Sequence, residues 1–167
     1  MLTCLLYGVT SVIAAVPHPA VATCEIKCTV SEIVEWSDMS FPQIDLGSLN
    51  PKRKQAAGES KLVLYTNGDV IITADNSGIA ELSSGSQTLT TEYQLRYDGS
   101  GIDRTGGRAT EWCRFDTFLR EPSEIKHILA DGAVVIILSV KASIERITPE
   151  MTGEYNATQT LTVCWKS

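Results

Sequence analysis

Groups able to act as bases or nucleophiles are scarce in this chain. It has two histidines, His18 and His127, and five cysteines, Cys4, Cys24, Cys28, Cys113 and Cys164. A Ser-His-Asp or Cys-His arrangement needs an imidazole to take the proton of the nucleophile. His18 falls in an apolar leader, which leaves His127, and Lys126-His127 reads as an ordinary strand end. No Gly-x-Ser-x-Gly elbow occurs. Paired carboxylates can hydrolyse glycosidic bonds, but spacing singles out no pair among the 20 acidic residues. The stretch from Asp98 to Asp103 (DGSGID), and Asn67-Gly-Asp69 with Asp75-Asn76, resemble calcium-binding turns. Both lack the closing glutamate of a full loop and read as plain turns. No glycine-rich phosphate cradle precedes a helix. The expectation is a protein that is not an enzyme and carries no cofactor or metal.

The cysteines point to export. Cys4 lies within residues 1–22, which contain no Asp, Glu, Lys or Arg. That segment has an apolar run over 2–16, then Pro17 and Pro19, and ends in Ala20-Val21-Ala22, an A-x-A cleavage pattern. The run is short for a membrane span. No basic residue precedes it, which departs from the usual signal, and a buried strand or uncleaved anchor is the alternative. A lipid anchor on Cys24 is disfavoured, because Thr23 is larger than such sites prefer. Residues 1–22 are therefore expected to be a signal peptide and 23–167 the domain, secreted or on the cell surface, with no membrane span after cleavage.

Four cysteines then remain, an even number that predicts two disulfides in an exported chain. Cys24-x-x-x-Cys28 has tolerable metal spacing, but Cys113 and Cys164 are isolated, so zinc is disfavoured. In an extended strand Cys24 and Cys28 share one face about 13 Å apart, and a disulfide spans at most about 7 Å. Each is therefore expected to bridge to Cys113 or Cys164, with the pairing open. The whole net charge of −6 lies beyond residue 22. That balance repels phosphate backbones and excludes nucleic acid as a partner. Lys52-Arg53-Lys54, between Pro51 and Gly58, reads as a solvated loop.

These residues must be positioned by strands. Residues 63–67 and 70–74 flank Asn67-Gly68, a strong hairpin signal. Leu89, Thr91, Tyr93, Leu95 and Tyr97 alternate with polar residues, so one face is buried and the other wet. Tyr93 and Leu95 are expected inside, and Glu92 and Arg96 outside. Residues 98–107 read as a long loop, and 115–129 as a connector around Pro122 rather than a helix. Residues 133–144 form a long strand, with Val135 and Ile137 indicating cover on both sides of its first half. Turn signals recur at Asp75-Asn76-Ser77-Gly78, at 83–86, at Asp131-Gly132 and at 149–153. Strands are expected at 24–36 and 155–165 as well. The pattern predicts an all-β, single-domain, immunoglobulin-like antiparallel β-sandwich.

A sugar-binding module would show an exposed aromatic ring. Trp165 shares parity with Leu161 and Val163 and is expected in the core. Trp112 is the tryptophan to suspect of ligand contact, the alternative being a ring packed beside a disulfide at Cys113. Asn156-Ala157-Thr158 is a glycosylation sequon on the polar face of the last strand.

The run Val140-Lys-Ala-Ser, then Pro149, then 153–163 (GEYNATQTLTV) resembles the ending of secreted bacterial spore-coat-U-like and fimbrial-subunit domains. The stretch 24–34 also looks like their first strand. The chain departs from their pattern over 98–130 and in its cysteine arrangement. The resemblance implies a non-enzymatic structural subunit of a surface fibre, pilus or coat, self-associating or joined to other surface subunits, in some members by strand exchange. A secreted carbohydrate- or protein-binding module is the alternative. Under the disulfide expectation, Cys24 and Cys28 would tether the first strand and oppose its donation.

Overall fold

The computed structural model describes residues 21–98, 108–127 and 132–166. Residues 1–20 of the signal peptide expected over 1–22, most of the loop expected over 98–107, and residues 128–131 lie outside the described residues. The chain divides into two units, Met1–Val30 and Ser31–Ser167. No helix among the described residues is long and apolar enough to cross a membrane.

The second unit is all-β with antiparallel pairing throughout. Its larger sheet is built on three long strands, β2 (Gln55–Thr66), β10 (Val134–Ser143) and β6 (Thr90–Tyr97), with β10 in the centre. β1 (Val34–Trp36) extends it beyond β2, while β7 (Arg108–Ala109) and β8 (Cys113–Arg114) both pair with the far edge of β6. The smaller sheet has the order β11 (Leu161–Trp165), β3 (Val70–Ala74), β9 (Ser123–Ile125). β4 (Ser83–Ser84) and β5 (Gln87–Thr88) form a separate hairpin. Gly85 turns it at φ +60°, a backbone region that costs glycine no steric clash.

One core joins the two sheets. Leu64, Tyr93, Leu95, Val134, Ile136 and Leu138 of the larger sheet cluster with Val70, Ile72 and Ile125 of the smaller. The period-2 pattern makes this possible, since alternate side chains leave each strand on one face. Thr91, Tyr93, Leu95 and Tyr97 are buried in β6, as their alternation requires, while Glu92 and Arg96 stand on the other face, half-buried. In β10 the same parity buries Val134, Ile136, Leu138, Val140 and Ala142 and leaves Val135 and Ile137 half-buried. Two hydroxyls that enter the core find partners, whereas the buried Ser60 hydroxyl has none. The Tyr93 hydroxyl donates to the Ala80 carbonyl at 2.8 Å, and burial pushes its pKa up to about 12. The Thr91 hydroxyl donates to the Leu89 carbonyl and accepts from the Leu82 amide. The 115–129 connector holds β9, and Phe118 within it is fully buried against Tyr93.

Three strand expectations are corrected. The Asn67-Gly68 hairpin does not form, because β2 pairs with β1 and β10, and β3 pairs with β11 and β9. The link between them is an arch from one sheet to the other. Gly68 is required there because a Cβ would lie 1.6 Å from the Trp165 ring. Asn67 serves the arch too, accepting from the Ile33 amide and donating to the Ser31 carbonyl. The first strand is only Val34–Trp36, not 24–36. The last is Leu161–Trp165, not 155–165. Residues 155–160 are irregular, and Asn156 makes a single bridge to Ser83. Trp165 is half-buried over the arch rather than in the core.

Candidate functional site

Side chains of β2, β10 and β6 that point away from the core form the outer face of the larger sheet. The register sets Glu59, Ser139 and Gln94 in one row, Ala57, Lys141 and Glu92 in the next, and Lys61, Ile137 and Arg96 in a third. Arg96 reaches across β10 to pair with Glu59. Lys141 pairs with Glu92 at 2.7 Å and lies 4.8 Å from the centre of the Trp112 ring. Such a contact joins an ammonium to the electron-rich ring face, and it sets the ring beside the sheet.

The segment carrying Trp112 is anchored to β6. The Thr110 amide donates to the Leu95 carbonyl at 2.9 Å, and the Leu95 amide returns a bond to the Thr110 hydroxyl at 3.0 Å. Gln94 Nε2 donates to the Thr110 carbonyl. Between this segment and the strands lies a shallow, open depression of about 370 Å³, lined by Gly58, Glu59, Gln94, Arg96, Trp112 and Ser139. Ser139 is only 5% exposed. Its hydroxyl has no hydrogen-bond partner, and neither has Arg96 Nε. A buried polar atom left unpaired is costly, and the same holds among the described residues for Ser60 Oγ, Asn76 Oδ1 and Gln159 Oε1 away from this depression. Trp112 was visible in the sequence as a candidate. Ser139, Glu59 and Arg96 were not, because strand register decides which residues of three distant segments become neighbours.

A second feature lies in residues 22–31, all but the last of them in the first unit. Ala22, Cys24, Ile26, Cys28 and Val30 alternate with Thr23, Glu25, Lys27, Thr29 and Ser31. This is the period of a half-buried strand, yet residues 21–31 form none and all are exposed. Ile26 and Val30 are 89% and 87% exposed, the reverse of what apolar side chains do when a partner is present.

The expected disulfides are absent. Cys24, Cys28, Cys113 and Cys164 are all free thiols. Cys113 packs on the core from the larger sheet, whereas Cys164 points to solvent from β11 of the smaller one. The even cysteine count could not reveal that the two face different ways. With no bridge at Cys113, Trp112 also loses its alternative role as packing beside one.

The remaining candidates are dispersed. His127 follows β9, and its Nδ1 and backbone amide both meet Asp69 Oδ1 at 2.8 Å. The amide bond, then the imidazole, holds the Asp69 carboxyl below its ordinary value. Both side chains are well exposed, so the pair reads as a clasp between β9 and the arch. Asn156 is exposed and available to a glycan. Asp75 caps its own turn by accepting from the Ser77 amide and hydroxyl. The turn from Asp98 to Asp103 lies largely outside the described residues. No group of three or more His, Cys, Asp or Glu among the described residues is arranged to hold a metal ion.

Compared with protein-family models and with curated proteins, the chain matches no family and no curated relative.

Proposed function

We propose that this protein is a non-enzymatic structural subunit of a cell-surface fibre or coat, joined to its neighbours by donation of residues 22–31. The observation that carries the reading is the exposed, alternating segment itself, which has no strand partner among the described residues. A strand of ten residues extends about 33 Å, long enough to pair along the full length of a neighbour's edge strand. β-Augmentation gives such a segment main-chain hydrogen bonds, and its apolar side chains gain cover. The smaller sheet offers an acceptor edge. Among the described residues β11 pairs with β3 alone, and its Leu161, Val163 and Trp165 are partly exposed. Unpaired edges of this kind are templates for another chain. The free thiols at Cys24 and Cys28 leave the donor untethered.

Gels of cell-surface material test this directly. Heat-resistant ladders that survive reductant are expected, and Ile26→Asp should abolish them while leaving the monomer folded. Ladders lost on reduction would replace strand donation with intermolecular disulfides at the exposed cysteines. A clean monomer under native, non-reducing conditions would overturn the fibre reading.

A further inference from the structure

We propose that the outer face of the larger sheet carries a binding site for a neutral pyranose unit of a glycan, centred on Trp112, Ser139 and the Glu59–Arg96 pair. The site does not rest on the fibre reading and would serve a monomer equally.

Three observations select this ligand class. Trp112 lines the depression and is steadied by the Lys141 ammonium at 4.8 Å. Rings so placed stack on the apolar C–H face of a sugar, as they do on other flat ligands. The polar groups are the right kind for hydroxyls. The Glu59 carboxylate accepts, the Arg96 guanidinium donates, and the Ser139 hydroxyl does both. Ser139 is 5% exposed with its hydroxyl unpartnered, and it lines the depression. A ligand hydroxyl would satisfy it, and Arg96 Nε offers a further donor.

Charge decides against an anionic occupant. The charged groups lining the depression are Glu59 and Arg96, which pair with each other, and Lys141 beside it pairs with Glu92, so the charges at the site itself are matched. A phosphate or a sugar acid would have to displace a carboxylate from its cation. A neutral polyol can instead bridge Glu59 and Arg96 without separating them. The openness of the site suits one or two sugar units approached from the side, as at the surface of a polysaccharide.

The test is a titration of the full chain with methyl β-glucoside, methyl β-galactoside and diacetylchitobiose at millimolar concentrations, followed by the indole N–H resonances. At least one sugar is expected to shift the Trp112 resonance while Trp36 and Trp165 stay fixed. Trp112→Ala should weaken binding of that sugar by about tenfold or more, the scale of a lost stacking partner. Ser139→Ala is the second variant, because it removes an unpartnered hydroxyl and should leave the melting temperature equal or higher. It should still weaken binding several-fold. A panel in which no sugar moves Trp112, or a Ser139→Ala protein that binds as tightly as the original, would overturn the proposal. Neither result bears on whether the chain forms ladders.

Discussion

Two segments of this chain share one pattern and meet opposite fates. Residues 89–97 and 22–31 both alternate apolar and polar side chains. The first becomes β6, with β10 on one side and β7 and β8 on the other, and four of its side chains are buried. The second forms no strand and is exposed at every residue. Alternation shows that a segment can lie at the boundary of a core. Whether it does depends on an edge to pair with and a surface to cover, neither of which is local.

The contrast can be broken most forcefully at Leu95. Leu95→Ala should cost about 2–5 kcal/mol in a urea melt, as a fully buried core truncation, since its exposure is 0%. Arg96→Ala, one residue away on the outer face, should change stability by less than about 1 kcal/mol, as for an exposed ion pair. The reverse ranking would mean that β6 is shifted by one residue.

The next effect is at the arch. Gly68→Ala places a methyl against the Trp165 ring, and overpacking of that kind costs about 1–3 kcal/mol. Trp165→Leu in the same background should recover part of the loss. If Gly68→Ala is silent, the link between the sheets is looser than the contact implies.

A smaller effect follows from the clasp at Asp69. Its carboxyl is held below the ordinary value in the fold, so its contribution is present above the unfolded-state pKa of about 3.9 and is lost as pH falls through the folded one. Asp69→Asn should therefore lower the melting temperature slightly at neutral pH, and the two proteins should converge in acid. A gap that widened in acid would contradict the clasp.

The smallest effect is the most telling for the comparison. Ile26→Asp should leave monomer stability within about 0.5 kcal/mol, as for a surface change, while removing any assembly that depends on residues 22–31. A large loss of monomer stability would show that the segment is covered within its own chain.

Much of the strand content was legible locally. Parity alone places Tyr93 and Leu95 in the core, because a strand's side chains alternate whatever it pairs with. Turn chemistry was less dependable. Asn67-Gly68 signals a hairpin when the flanking strands pair with each other, but here each found a different sheet. Trp165 then made the glycine necessary for a reason unrelated to turns. Of the candidate site, the sequence offered Trp112 and could not supply its neighbours.

By itself the sequence determined the all-β class, the faces of β6 and β10, and the scarcity of histidines. Each of these is written in composition or in a period of two residues. The tertiary structure alone decided that Cys113 and Cys164 lie on different sheets, that 66–70 is an arch, and that Glu59, Ser139, Arg96 and Trp112 share one depression. Those outcomes depend on register and sheet assignment between segments far apart in the chain, where a shift of one residue would turn every side chain to the opposite face.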